Sequence, residues 1–200
     1  MTTQGLLLVL SAPSGTGKTT LAHRLVEAQP STIFSISATT RAPRGQEQDG
    51  KDYHFLSREE FQRRIDQGQF VEHAEVYGNL YGTLQSTVDD ALQKGLIQIF
   101  DIDSQGGSTI KAKFPNAVTV FILPPSMTVL EARLKGRSTD SAESVKRRLE
   151  EARTEIERGT RSYDYLIVND DLDRAFGDLQ AIIRAERLKR LRVDLSRLNL

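Results

Sequence analysis

The sequence predicts an α/β fold: a parallel sheet covered by helices on both faces, three layers in all, with an α+β subdomain inserted into it. Three observations predict it. The apolar run Leu6 to Leu10 breaks off in a glycine-containing loop, Ser11-Ala12-Pro13-Ser14-Gly15-Thr16-Gly17-Lys18-Thr19-Thr20, the pattern of a buried strand turning sharply into a helix. Further along, short apolar stretches alternate with stretches of helical period. Residues 32–83, between the first helix and the next apolar strand, are too many to be a loop.

The first helix begins at Thr19, and Leu21, Leu25 and Val26 supply its apolar stripe. The interval that follows holds short β-type pieces at 34–37, 53–55 and 70–74, plus one helix. That helix opens on Ser57 and Glu60 as a capping box, with Leu56 placed to staple onto Phe61 and Gly68 as its stop. A helix over Ser86 to Lys94, closed by Gly95, leads into the strand Leu96–Phe100. Further strands are read at Val118–Leu123 and Tyr165–Val168, and helices at Ser126 to Lys135, Ser141 to Arg158 and from Asp171 toward the C-terminus.

Composition narrows the function. Two hundred residues, 38% of them hydrophobic, suffice for one compact domain with a real core. Lys and Arg number 27 against 27 Asp and Glu, so no net field recruits nucleic acid or an anionic membrane, and any phosphate binding is local. The absence of cysteine excludes disulfides and thiolate chemistry. No apolar run approaches the ~20 residues of a membrane span, and the start lacks a basic, signal-like region, so a cytoplasmic location is expected. Oligomeric state is not legible, which leaves a homo-oligomer open. His23, His54 and His73 lack ligand-like spacing and are read as structural or solvated. The basic cluster Arg184, Arg187, Lys189, Arg190 and Arg192 reads as a helix end complementing the dipole rather than as a nucleic-acid face.

The loop after the first strand has the chemistry of a nucleoside triphosphate site. Gly15 and Gly17 allow backbone angles that turn successive N–H groups into one concavity, where the helix dipole also favours phosphate. Lys18 adds a mobile charge for the β- and γ-phosphates, and the Thr19 hydroxyl can sit on Mg²⁺. The strict pattern asks for glycine where Ala12 stands.

Three further constellations carry chemistry. In Ser37-Ala38-Thr39-Thr40-Arg41-Ala42-Pro43-Arg44, followed by Glu47, Gly50 and Tyr53, both guanidinium forks can converge on one anion; the plain alternative is two exposed loop arginines. Glu72 precedes Tyr77-Gly78-Asn79-Leu80-Tyr81-Gly82-Thr83, where the plain reading is a surface carboxylate and half-buried sheet tyrosines. In Asp101-Ile102-Asp103-Ser104-Gln105-Gly106, Asp101 ends an apolar strand, the place for a carboxylate near metal-bound phosphates. Capping of the next helix is the alternative, and Asp103 has the better position for it.

Taken together and in this order, these segments resemble the guanylate kinase family from about Leu6 to Arg190. The resemblance is carried by Ser11 to Lys18, Ser37 to Arg44, Gly50-Lys51-Asp52-Tyr53, Gly78 to Thr83, Asp101-Ile102-Asp103, Arg133-Leu134-Lys135-Gly136-Arg137 and Ile167-Val168-Asn169-Asp170-Asp171. It implies a P-loop core over 1–31, 84–133 and 159–200, a GMP-binding subdomain over 32–83 and a short helical lid over 134–158. The implied reaction transfers a phosphoryl group from ATP to GMP, with dGMP as a further acceptor and Mg²⁺ as cofactor. By position, Ala12, Pro13, Ser14, Gly15, Thr16, Gly17, Lys18 and Thr19 would bind ATP, with Asn169 near the adenine. Arg41, Arg44, Tyr53 and Tyr81 would hold the GMP phosphate, while Ser37, Glu72 and Thr83 would read guanine, with Asp103 close by. Lys18, Arg133, Arg137 and Arg148 would act in the transfer itself, and Thr19 and Asp101 would face the metal. A carboxylate facing the guanine N1–H and N2–H₂ donors, with a hydroxyl facing O6, complements guanine and mismatches adenine.

Three positions depart from the family pattern: Gln46 for a glycine, Ser104 for a bulky residue and Ser138 for a glycine. They bear on the loop near Arg44, the packing beside Asp103 and the lid hinge. Two other classes are consistent with such a domain. A scaffold module that has lost catalysis would show an eroded phosphate loop or eroded lid arginines, yet Lys18, Thr19, Arg133 and Arg137 are all present. A guanine-nucleotide switch would need a base-specificity motif after the core strands, which is not seen.

Overall fold

The computed structural model describes residues 5–76, 78–136 and 142–193. The first strand, β1 (Leu6–Ser11), is buried along its whole length, as its unbroken apolar sequence requires of a strand covered on both faces. Helix α1 (Lys18–Ala28) and strand β2 (Thr32–Phe34) follow. The inserted part comprises β3 (Ala38–Thr39), β4 (His54–Phe55), α2 (Arg58–Asp66), β5 (Phe70–Val76) and β6 (Asn79–Leu84). The chain then returns through α3 (Gln85–Gln93), β7 (Ile97–Asp101), α4 (Ser104–Lys113), β8 (Val118–Leu123), α5 (Met127–Lys135), α6 (Ala142–Ser162), β9 (Tyr165–Val168) and α7 (Leu172–Arg187).

Five strands form a parallel sheet in the order β2-β7-β1-β8-β9. Leu6, Leu8 and Leu10 pack with Leu21 and Leu25 of α1 and Leu179 and Ile183 of α7, whereas Leu7 and Val9 pack with Val88 of α3 and Ile110 of α4. The period-2 alternation of the strand thus feeds two separate cores, one per face. A second sheet, in the order β4-β3-β6-β5, has its own small core around Phe61 and Phe70, whose rings stack at 4.3 Å. Helices α5 and α6 share a further cluster of Leu130, Leu134, Val145 and Ala152.

Several expectations change in detail. Residues 32–34 belong to the parallel core sheet, paired with β7, so the core extends past residue 31 before the inserted sheet begins. Helix α6 runs unbroken through residue 159, where Gly159 lets it lie against the Phe121 ring; a side chain there would collide with that ring. Only half of the capping box forms at α2. Ser57 accepts from the Glu60 N–H at 3.1 Å, but the Glu60 carboxylate turns to Arg63 and Arg64. Those two guanidinium groups hold its pKa down to about 2. Leu56 packs on the Phe61 cluster as expected.

The basic C-terminal cluster is not a simple helix end. Arg192 is buried and donates to the Glu186 carboxylate at 2.5 Å, while Lys189 and the Tyr165 hydroxyl reach the same carboxylate at 2.6 and 2.5 Å. Among the described residues, no helix is long and apolar enough to cross a membrane.

Candidate active site

The loop between β1 and α1 is bent by two glycines in the left-handed region, Gly15 at φ 91° and Gly17 at φ 93°. L-residues rarely adopt this geometry, and at Gly17 a Cβ would also lie 2.5 Å from Asn169 Nδ2. Thr16 closes the turn by donating its hydroxyl to the Pro13 carbonyl at 2.8 Å. From outside the loop, the buried Asn169 donates to the Thr16 carbonyl at 2.6 Å and accepts at its own carbonyl from Arg133 at 3.1 Å. Asn169 therefore braces the phosphate loop and links it to Arg133, a part its sequence position did not disclose.

At the mouth of the loop, Lys18 pairs with Asp101 at 2.5 Å and donates to the Ile102 carbonyl at 3.2 Å. The Thr19 hydroxyl donates to the other Asp101 oxygen at 3.1 Å. The two readings of the acidic pair thus separate: Asp101 faces Lys18 and Thr19, and Asp103 caps α4 by accepting from the Gly106 N–H at 2.8 Å. A cleft of about 350 Å³ is lined by Ala12 to Thr20 together with Asp103 and Glu155. Glu155 was not anticipated, since its place on the long helix resembles that of many solvated charges. Burial and the neighbouring Asp103 carboxylate push its pKa up, partly offset by Lys18. From the same helix, Arg148 donates to Ser14 Oγ on the loop. Arg137 and Ser138, expected in the lid, lie outside the described residues, as does Tyr77.

The second constellation assembles on the inserted sheet. Arg41 donates to Glu47 at 2.9 Å and its guanidinium lies 5.2 Å over the Tyr53 ring, while Tyr53 and Tyr81 meet edge to face at 6.1 Å. The other Glu47 oxygen accepts from the Arg44 N–H at 2.7 Å, so one carboxylate orders both arginines' segment. The hydrogen bond with Glu47, aided by the Tyr81 hydroxyl and opposed by burial, raises the Arg41 pKa further above its ordinary value. The hydrogen bond with Arg41, followed by that from the Arg44 N–H, lowers that of Glu47. Across the β5–β6 hairpin, Glu72 and Thr83 are register partners, and the Thr83 hydroxyl donates to Glu72 Oε1 at 2.8 Å. Ser37 sits half-buried just before β3, its carbonyl accepting from the His54 N–H at 2.9 Å. Sequence reasoning singled out each of these residues and did not foresee that the Glu47 carboxylate would order Arg41 and the Arg44 segment.

A parallel sheet with a phosphate loop after its first strand, and a second small sheet inserted between β2 and α3, defines a P-loop nucleotide-binding protein. A model of the guanylate kinase family matches residues 4–186. The chain is 60% identical over 196 residues to a guanylate kinase of Myxococcus xanthus strain DK1622, covering 98% of this chain and 94% of that one. It is 61% identical over 186 residues to a guanylate kinase of Anaeromyxobacter dehalogenans strain 2CP-C, covering 92% and 82%. The crystal structure of guanylate kinase from Anaplasma phagocytophilum superposes with a TM-score of 0.73 at 38% identity, covering 98% and 94%. The chain belongs to the guanylate kinase family.

Proposed function

We propose that the two cradles are the ATP and GMP sites of a single phosphoryl-transfer centre, in which Lys18, Arg133, Arg137 and Arg148 stabilise the transferring group. Phosphorylation of GMP to GDP at the expense of ATP is the activity that membership of the family gives this chain. The observation that carries the assignment of residues is the pairing of a guanidinium–phenol cradle at Arg41, Tyr53 and Tyr81 with the Glu72–Thr83 pair on one small sheet. The first pair of groups suits a phosphate, the second the polar edge of guanine.

Glu72 would accept from guanine N1–H and N2–H₂, Ser37 and Thr83 would offer hydroxyls, and Arg41 and Arg44 would clamp the phosphate. On the donor side, the N–H groups of 14–19 would cradle the ATP phosphates, and Lys18 would leave Asp101 for them. A phosphate oxygen is already a nucleophile at neutral pH, so no general base is assigned; alignment and charge stabilisation do the work. Asp101 and Thr19 fit Mg²⁺: an oxygen donor set of one carboxylate and one hydroxyl beside the phosphate loop leaves room for substrate oxygens and water. When bound, the ion would neutralise charge developing between the β- and γ-phosphates.

The division into core, GMP-binding part and a lid over 134–158 belongs to the same proposal, as does use of dGMP. A coupled ADP-release assay over GMP, dGMP, AMP, CMP and UMP tests it. Turnover confined to the two guanine nucleotides is expected; comparable turnover of AMP would remove Glu72 as the base reader.

A further inference from the structure

We propose that Tyr163 and Ser11 are positioning residues for phosphoryl transfer, together holding the carbonyl of Ile102 on which Lys18 rests. The inference rests on the functional reading above.

Ser11 is the last residue of β1, fully buried at the end of a strand whose other five residues are apolar. Nothing in core packing asks for a hydroxyl there. Its Oγ donates to the Ile102 carbonyl at 2.8 Å, and Tyr163, just past α6, donates to Ser11 Oγ at 2.7 Å. The direction of the chain is settled by chemistry: Ser11 Oγ faces the Ile102 carbonyl at 2.8 Å and the Asp103 carbonyl at 3.2 Å, both of which only accept, so Ser11 spends its one proton on that pair, Ile102 the nearer, and must receive Tyr163's. Lys18 Nζ donates to that same carbonyl at 3.2 Å. A continuous series therefore runs from the end of the long helix through β1 and the Ile102 carbonyl to the lysine of the phosphate loop.

The surroundings are shaped for this contact. Gly107 lacks a side chain where one would collide with the Tyr163 hydroxyl, and the Tyr163 ring packs edge to face on Phe121 at 5.2 Å. Burial raises the Tyr163 pKa, Ser11 offsets part of this, and Asp103 and Glu155 add to it, so the hydroxyl stays a donor. The β1–β7 ladder has its last register pair at Leu10 and Asp101, and the following bond, Ile102 N–H to Leu10 carbonyl, is long at 3.3 Å. Beyond that point the Ser11 hydroxyl takes over from the sheet in holding the segment between Asp101 and Asp103.

The test is a cycle of Tyr163→Phe, Ser11→Ala and the double variant, with kcat, the KM for ATP and GMP, and the thermal midpoint measured for each. Misplacing a reacting group by a fraction of an ångström is costly, so each single variant should lose about tenfold in kcat while the KM for GMP moves less than about twofold. The double variant should match the more impaired single one, because both cut the same chain. A wild-type kcat in folded Tyr163→Phe, or losses that multiply in the double variant, would overturn the proposal. Tyr163→Phe keeps the ring on Phe121 and decides alone if Ser11→Ala does not fold. Wild-type protein inactive on GMP would instead overturn the functional reading.

Discussion

The two cradles of the proposed ATP and GMP sites are built by opposite means. The donor cradle is a backbone device: it sits at the end of β1, a strand paired on both sides, and owes its shape to Gly15 and Gly17 and to the hydrogen bonds that Thr16 and Asn169 make to main-chain carbonyls. The acceptor cradle is a side-chain device. It hangs on two-residue strands β3 and β4 and the β5–β6 hairpin, and its members hold one another: Glu47 orders Arg41 and the Arg44 segment, Tyr53 lies under Arg41, and Thr83 fixes Glu72. Phosphates of any nucleotide present the same charge, so N–H groups and a dipole suffice for them. Choosing one base requires directional side chains, and those proposed for it stand on the inserted sheet.

The comparison makes graded predictions. The largest effect should come from the one charge the backbone cradle cannot supply. Lys18→Met should fold normally and lose about 10³-fold in kcat, the upper range for removing one transition-state charge contact. Near-normal turnover in the folded variant would break the assignment of this loop to the donor. Next comes base selection. Glu72→Gln swaps an acceptor oxygen for a donor and should cost about 10²-fold in kcat/KM for GMP, with the KM for ATP unchanged. Comparing GMP with IMP, which lacks only the 2-amino group, sharpens the result; intact discrimination between them would move the amino-group reader to another residue, with Asp103 the first to examine.

A smaller effect is expected where one side chain only orients another. Glu47→Gln should raise the KM for GMP about tenfold, the order of one charge-assisted hydrogen bond, and leave the KM for ATP within about twofold. An equal rise for both substrates would show that the cradles are not independently built. The smallest effect is in pH. The Glu47 pKa is lowered from 4.5 by its hydrogen bonds to Arg41 and the Arg44 N–H. Its contribution to stability is therefore complete above 4.5 and lost as pH falls through the lower folded value. The difference in thermal midpoint between wild type and Glu47→Gln should close on acidification below 4.5, and a difference that widened there would contradict this sign.

Legibility in the sequence followed locality. The phosphate loop, the strands near 97–101, 118–123 and 165–168, and the Asp103 cap were readable because each is set by neighbours within a few residues. The assignment of 32–34 was not, because a three-residue strand carries too little pattern to choose between two sheets, and its pairing with β7 comes from residues more than 60 positions away. Glu47 lay inside a segment already singled out, yet its carboxylate looked like any loop acid. Arg192 read as part of a basic helix end, and only the fold put it beside Glu186, Tyr165 and Asn116 in the interior.

By itself the sequence determined the class of fold, the place of the phosphate loop and the family resemblance, since periodicity, glycine geometry and motif spacing are properties of short stretches of chain. Tertiary structure alone decided which carboxylate faces Lys18 and which caps a helix, that Asn169 braces the loop across a sequence separation of 153, and that Ser11 spends a buried hydroxyl on the carbonyls of Ile102 and Asp103. The physical reason is that a hydrogen bond is chosen by distance and direction at its two ends, and for ends so far apart along the chain these are fixed only when the sheet has brought the strands side by side.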